Sequence, residues 1–355
     1  MKKLIAISVL FALLAVGAFA QISGGFRTQW MVVESAPGED ALTYLSITDA
    51  TFKLSGQNEE GTIGAQLTLN GLDCTTLNWG SDDLNLLFGK IYESYAWWQP
   101  IPQVKLYLGN YGGLWGFDGI VGWGFHEGNA DYGHVNGYAY GAGGGGGFGY
   151  HTNGFGLEIN PIDGLQIDFG LPLGDYEKIA DKVLLEDAFK GIYVQANYEI
   201  GGIGKATIDF KASPADGAIG VFGLGFSLSA IENVPIVLLV NFDLKEESDA
   251  NKVGLSIAAG FSSGDFGVRF RAASSFEKDG DFNLKAQIMP FYDVGIFKFF
   301  LNIGLDVNGD DPVKFYLNPY ITKDIGPGKI ALGIDVQMCD GDTVFKLPIT
   351  IGYNF

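Results

Sequence analysis

Cysteine is nearly absent: Cys74 and Cys339 are the only two in 355 residues. Two thiols build neither a disulfide framework nor a Cys₄ zinc site. Histidine is equally sparse, and the spacing of His126, His134 and His151 matches no metal-binding motif. Charged residues make up only 18% of the chain, with a net charge of −19 and no basic cluster. Nucleic acid is excluded as a partner, because phosphate neutralisation needs Lys and Arg. No G-x-S-x-G elbow occurs, and the glycines at 143–147 are not followed by the Lys-Ser/Thr of a phosphate loop. Nothing in the sequence points to an enzyme, a cofactor or a metal. Also missing, past residue 20, is any apolar run near the ~20 residues of a membrane helix; the longest is 235–240.

What the chain does have is glycine, 53 residues of it, and 47% hydrophobic residues. That much apolar content rules out a disordered acidic chain. The N-terminus reads as an address. Lys2 and Lys3 precede an apolar run at 4–16, and Ala18-Phe19-Ala20 supplies small residues at a cleavage site. Cleavage after Ala20 is expected, and it removes two positive charges, taking −19 to −21. No Cys lies there to accept a lipid. Residues 1–20 are thus a signal peptide, and 21–355 form the mature chain.

The mature chain alternates with a period of two, the strand signal. In the last segment Phe345, Leu347, Ile349, Ile351, Tyr353 and Phe355 share one face, against Lys346, Pro348, Thr350, Gly352 and Asn354. Phe299, Leu301, Ile303, Leu305 and Val307 similarly oppose Lys298, Phe300, Asn302, Gly304 and Asp306. The pattern recurs back to residue 192, divided by Gly-, Asp- and Asn-rich turns, and continues less regularly through expected strands at 22–34, 43–54, 62–70, 84–95 and 104–111. The expected fold is all-β: a single closed antiparallel transmembrane β-barrel of about 18 strands (range about 16–20), with short periplasmic turns and longer outer loops. A soluble sandwich also alternates. Two features favour the barrel: apolar faces about ten residues in span, and opposing faces that mix Lys, Asp, Asn and Gln with Gly, as a wet interior allows. Backbone groups in a bilayer find no water, so strands cross only as a closed ring.

The signal segment, the repeated alternation and the terminal run Leu347-Pro348-Ile349-Thr350-Ile351-Gly352-Tyr353-Asn354-Phe355 resemble Gram-negative-type outer-membrane barrels of the general porin kind. The signal segment itself has a spirochaete-like character. The resemblance implies an outer-membrane location, contact with outer-membrane lipid, and recognition of Ile351, Tyr353 and Phe355 by the barrel-assembly machinery. It also implies passive passage of small hydrophilic solutes and a homotrimer. Two other readings stay open: a surface adhesin or structural matrix protein, and a channel specific for sugars or hydrophobic compounds.

If a lumen exists, the alternation assigns it Arg269, Arg271, Lys285, Lys298, Lys314, Lys329 and Lys346, a basic wall. The acidic lumen residues are Glu199, Asp209, Asp243, Asp306 and Asp335. Glu158 and Asp168 also fall on polar faces, and Gly223, Gly225, Ser227, Gly254, Ser256, Ala258 and Gly260 make one stretch of wall unusually small. The Gly-rich segment 112–151 is the longest irregular stretch; Trp115, Asp118, Trp123, Glu127 and Asp131 are its candidates for a constriction. Residues 175–190 carry helical spacing. Trp97 and Trp98 together read as part of a belt at the lipid headgroups.

Overall fold

A computed structural model describes residues 21–70, 90–111, 152–172, 189, 191–213, 217–247, 251–278, 280 and 282–354. The strands are β1 (Gln21–Ser35), β2 (Leu42–Gln57), β3 (Ile63–Asn70), β4 (Lys90–Ile101), β5 (Val104–Tyr111), β6 (Thr152–Ile162), β7 (Leu165–Pro172) and β8 (Tyr193–Ile200). They continue with β9 (Gly204–Ala212), β10 (Ala218–Leu228), β11 (Ile236–Lys245), β12 (Lys252–Ser263), β13 (Phe266–Glu277) and β14 (Asn283–Asp293). The last are β15 (Lys298–Asn308), β16 (Lys314–Ile325), β17 (Gly328–Gly333), β18 (Asp335–Cys339) and β19 (Asp342–Asn354).

Apart from β17 and β18, which do not pair with each other, each strand pairs antiparallel with its neighbours in sequence, and β1 closes the ring on β19, from Gly25 opposite Asn354 to Ser35 opposite Phe345. β17 and β18 are two halves of one position, both pairing with β16 and β19. The interruption faces Pro348 of β19, which has no N–H for the ladder. The 19 segments therefore make a closed 18-strand antiparallel barrel. A closed ring has no edge strand to aggregate and leaves no ladder group unpaired at a seam.

An even number of strand positions puts Gln21 and Asn354 at the same end. Connections there are short, including the two-residue turns 102–103, 163–164, 264–265 and 326–327. In the Asp163-Gly164 turn, Gly164 has φ +80°, a conformation that glycine adopts without steric cost. At the far end the strands are joined by 71–89, 112–151 and 173–192, most of which lie outside the described residues. The constriction candidates Trp115, Asp118, Trp123, Glu127 and Asp131 fall there, as do Cys74, the three histidines and nearly all of the helical spacing at 175–190.

The decisive feature is which face is exposed. Leu108 (63% exposed), Phe315 (50%) and Ile351 (48%) lie on the outside of the ring, whereas Asp168 and Gln195 (0%), Asn318 (1%) and Asn241 (2%) point inward and are buried. A water-soluble sandwich does the reverse. Ten residue steps of apolar face from Phe297, just before β15, to Val307, at about 3.3 Å each and a barrel tilt of roughly 40°, give a band about 25 Å tall, the height of the apolar band on a membrane barrel. Aromatic residues rim both edges of the band. Trp98, Tyr198, Tyr292 and Tyr353 mark the end that carries the termini; Trp30, Phe276, Phe282, Phe315 and Phe345 mark the other. Ile351 and Tyr353 sit on this outer face, and Phe355 lies outside the described residues.

Candidate pore wall

All seven basic and five acidic residues selected from alternation share the inward-facing rows. The register then does something alternation does not reveal: it puts carboxylates beside most of the cations. Lys285 lies 3.4 Å from Asp306, Lys298 3.0 Å from Asp293, Lys329 3.3 Å from Asp324 and Lys346 2.9 Å from Glu34. Each pair bridges adjacent strands in register. Glu34 also accepts a 2.6 Å hydrogen bond from the Tyr44 hydroxyl. The wall read from sequence as basic is therefore a ladder of both signs. Its transverse field is much weaker than seven uncompensated cations would set.

Arg269 and Arg271 differ from the other five. They are two residues apart on β13, and their cross-strand neighbours are uncharged: Gly260 and Ala258 on β12, Met289 and Gln287 on β14. The Arg269 guanidinium lies 5.1 Å from the ring centre of Phe291. Phe291 belongs to an inward apolar cluster with Met289, Phe300 and Tyr320, in which Phe300 and Tyr320 stack at 4.7 Å. Between this cluster and the ion pairs runs a line of amides. Asn302 donates to Asn318 (3.3 Å), and Asn318 donates to Asp335 (3.4 Å).

The wall from β4 to β9 is organised differently. Trp97 points inward and only Trp98 outward, so the pair does not form a belt; this corrects the reading from sequence. Trp97 lies across Gly64, where a Cβ would come within 2.1 Å of the indole. Tyr95, Tyr107 and Tyr193 pack beside Trp97, and the Lys105 ammonium lies 5.3 Å from the Trp97 ring and 5.1 Å from that of Tyr107. The Tyr107 hydroxyl donates to Glu158 at 2.9 Å. Next to Glu158, the buried Asp168 accepts from Gln166 at 2.9 Å and from Asn197 at 3.5 Å. Asn197 accepts from Gln195 (2.9 Å) and Thr207 (2.7 Å), and the Tyr193 hydroxyl donates to Gln195. Carboxylates here are held by neutral donors, and each hydrogen bond to an ionised group contributes about 1.5–3 kcal/mol.

Further round, Asp209 occupies the space over Gly223, whose Cβ would lie 2.0 Å from Oδ1, and Asp243 pairs with Lys245 at 3.0 Å. Glu199 faces Lys205 in register. The small residues of β10 and β12 face inward, but the two strands are not a pair: β11 lies between them and turns Val237 and Leu239 inward, which corrects the reading of one continuous small stretch. Among the described residues, no group of three or more His, Cys, Asp or Glu is arranged to hold a metal ion.

Comparison with known proteins adds the architecture. No family model matches the chain, and no curated protein matches its sequence. Solved structures match along nearly its full length. OccAB4 of Acinetobacter baumannii is 7% identical with a TM-score of 0.56, covering 95% of this chain and 98% of its own. A BenF-like porin from Pseudomonas fluorescens Pf-5 is 9% identical (TM-score 0.57; 95% and 98% covered). An anion-selective porin from Comamonas acidovorans is 12% identical (TM-score 0.53; 95% and 99%). The fold is therefore that of the Gram-negative outer-membrane porins.

Proposed function

We propose that the chain is an outer-membrane diffusion channel for small hydrophilic solutes, exported by a signal peptide cleaved after Ala20. The observation that carries this is the inversion of the barrel. Isoleucine, leucine and phenylalanine cover the outside, while Asp, Asn, Gln and Lys line the inside of an 18-position ring. Rings of about 16–18 strands are wide enough for an aqueous bore, whereas eight-stranded ones are filled by side chains. The porin-like solved structures support a channel rather than an enzyme. Solutes cross down their gradients, and no cofactor or energy source is required.

The inward charges set ionic preference in this reading. The ladder of paired charges gives weak selectivity overall. Trp115, Asp118, Trp123, Glu127 and Asp131, outside the described residues, are the sequence's candidates for narrowing the mouth, and Ile351, Tyr353 and Phe355 for the assembly signal. Homotrimers are the expected assembly.

Planar-bilayer recording with purified protein tests the proposal. Discrete, ohmic current steps that scale with salt concentration are expected, and deleting residues 141–147 is expected to change their size. Bilayers that stay silent with correctly inserted protein would contradict the channel and favour a surface role.

A further inference from the structure

Proline inside the described strands is not scattered. Pro100, Pro161 and Pro172 stand within two residues of a strand end, whereas Pro290, Pro319 and Pro348 stand in the interiors of β14, β16 and β19. Register puts these three on one line across the wall. Pro290 falls opposite Leu301 of β15, and Leu301 pairs with Pro319. The Ile334 N–H donates to Pro319 O at 2.9 Å, and Ile334, between β17 and β18, falls opposite Leu347, next to Pro348. Strand pairing lapses along this line: between Ile288–Ile303 and Phe291–Phe300, between Tyr320–Gly333 and Leu317–Val336, and between Leu332–Ile349 and Asp335–Lys346. Beyond Pro348, β1 shifts register between Met31 and Val33. Resting on the reading of the lumen as a water-filled bore, we infer that the wall around Ile334 is a lateral passage, through which uncharged apolar solutes move between the bore and the hydrocarbon of the bilayer.

Three observations converge on that role. First, a sheet interior excludes Pro, which gives the ladder no N–H and otherwise sits at edges or bulges. A closed ring has no edge, and a bilayer offers its backbone no water in place of a lost bond. Pro319 and Pro348 flank one strand break and so concentrate that cost where β17 and β18 are already apart. Second, the wall is apolar on both faces there. Leu301, Pro319 and Ile334 are exposed on the outside, whereas Met31, Met289, Phe300, Tyr320, Ala331 and Pro348 lie buried on the inside. Phe300 and Tyr320 stack, and the Tyr320 hydroxyl donates to Met289 Sδ at 3.3 Å. An apolar solute leaving water gains contact with this patch. Third, the patch has a border. Two residues further toward the far end, the same inner rows carry Asn302, Asn318 and Asp335, joined by hydrogen bonds. Bending of the wall would account for the prolines but not for apolar side chains turned to the lumen at the same place. By contrast, the inward Val237 and Leu239 sit behind ladders unbroken from Ile236 to Asp243, and mark no passage.

The test is entry of N-phenylnaphthylamine, a dye that fluoresces in hydrocarbon, into Gram-negative cells that express the full chain and whose outer leaflet excludes the dye. In a Cys74→Ser, Cys339→Ser background, two disulfide clasps join paired positions beside the break: Leu317→Cys with Val336→Cys, and Leu332→Cys with Ile349→Cys. A control clasp, Val194→Cys with Phe210→Cys, joins β8 to β9. Each variant is checked for insertion and for loss of free thiols. Cells with the unclasped protein are expected to brighten several-fold faster than cells without it. The oxidised clasps beside the break return the rate close to that of cells without the protein, reduction restores it, and the control clasp changes nothing. Pro319→Val with Pro348→Val, which returns two ladder donors, slows entry without cysteine chemistry. Entry that the oxidised clasps or the proline replacements leave unchanged, or that the control clasp slows equally, overturns the inference. Planar-bilayer current is read separately on the same proteins and is expected to survive the clasps: conducting protein without clasp-sensitive dye entry contradicts the passage alone, and silent protein contradicts the channel.

Discussion

The two walls of this barrel solve the same problem by different chemistry. Both must keep polar groups inward in a ring whose outside is apolar. From β13 through β19 to β1, carboxylates answer cations across strand pairs, as in Lys285–Asp306 and Lys346–Glu34. From β4 to β9, carboxylates are answered mainly by hydroxyls and amides, as in Tyr107–Glu158 and Gln166–Asp168, and the cation Lys105 rests on aromatic rings. The difference teaches that counting charges along alternating faces overstates the field inside a barrel. Charge is compensated sideways, between strands, and only register shows it.

The largest effect expected separates outside from inside on one strand. Leu301→Arg, at mid-height on the lipid face of β15, is expected to destabilise the barrel by about 2–4 kcal/mol, read from reversible urea unfolding in phospholipid vesicles. Asn302→Ala, one residue on and inward, loses its bond to Asn318 and costs only about 1 kcal/mol. Equal costs would erase the distinction between the faces.

Next is the pair that closes the ring. Glu34→Lys alone sets two cations side by side at the β1–β19 closure and is expected to cost about 1–2 kcal/mol, below the value for fully buried pairs because both side chains are partly exposed. Combining it with Lys346→Glu restores most of the loss, measured as the unfolding midpoint. A double variant no better than the single would show that the pair contributes nothing.

Selectivity distinguishes compensated from uncompensated charge. Asp306→Asn is expected to shift the reversal potential in a salt gradient toward anion preference, and adding Lys285→Gln to return it close to the starting value. The smallest effect lies on the opposite wall: Lys105→Met removes the contacts with Trp97 and Tyr107 and is expected to cost about 0.5–1 kcal/mol.

Much of this architecture was legible in the sequence. Alternation assigned the faces of β15, β16 and β19 correctly because a strand's side-chain period is two, and one face must match hydrocarbon. It assigned β5 its observed limits, 104–111. It failed at the end of β4, expected at 95 and found at Ile101, because Trp97-Trp98 and Pro100 interrupt the pattern; its expected start at 84 lies outside the described residues. Only the partner strand, with Gly64 beneath the indole, shows that Trp97 turns inward. The ion pairs were hidden for a related reason: Glu34 and Lys346 lie at opposite ends of the mature chain and meet only when the ring closes. Local patterns carry facing, whereas partnership across strands is a property of register.

The central claim is that successive residues of these strands meet hydrocarbon and water in turn. Nitroxide labels placed one at a time along 299–307, in a background with Cys74 and Cys339 replaced by Ser, test it most directly in reconstituted vesicles. Collisions with oxygen should peak at 299, 301, 303, 305 and 307, and collisions with a water-soluble nickel chelate at the even positions between. The opposite phase, or outward-facing labels shielded from oxygen, would contradict a barrel that turns its apolar face to lipid.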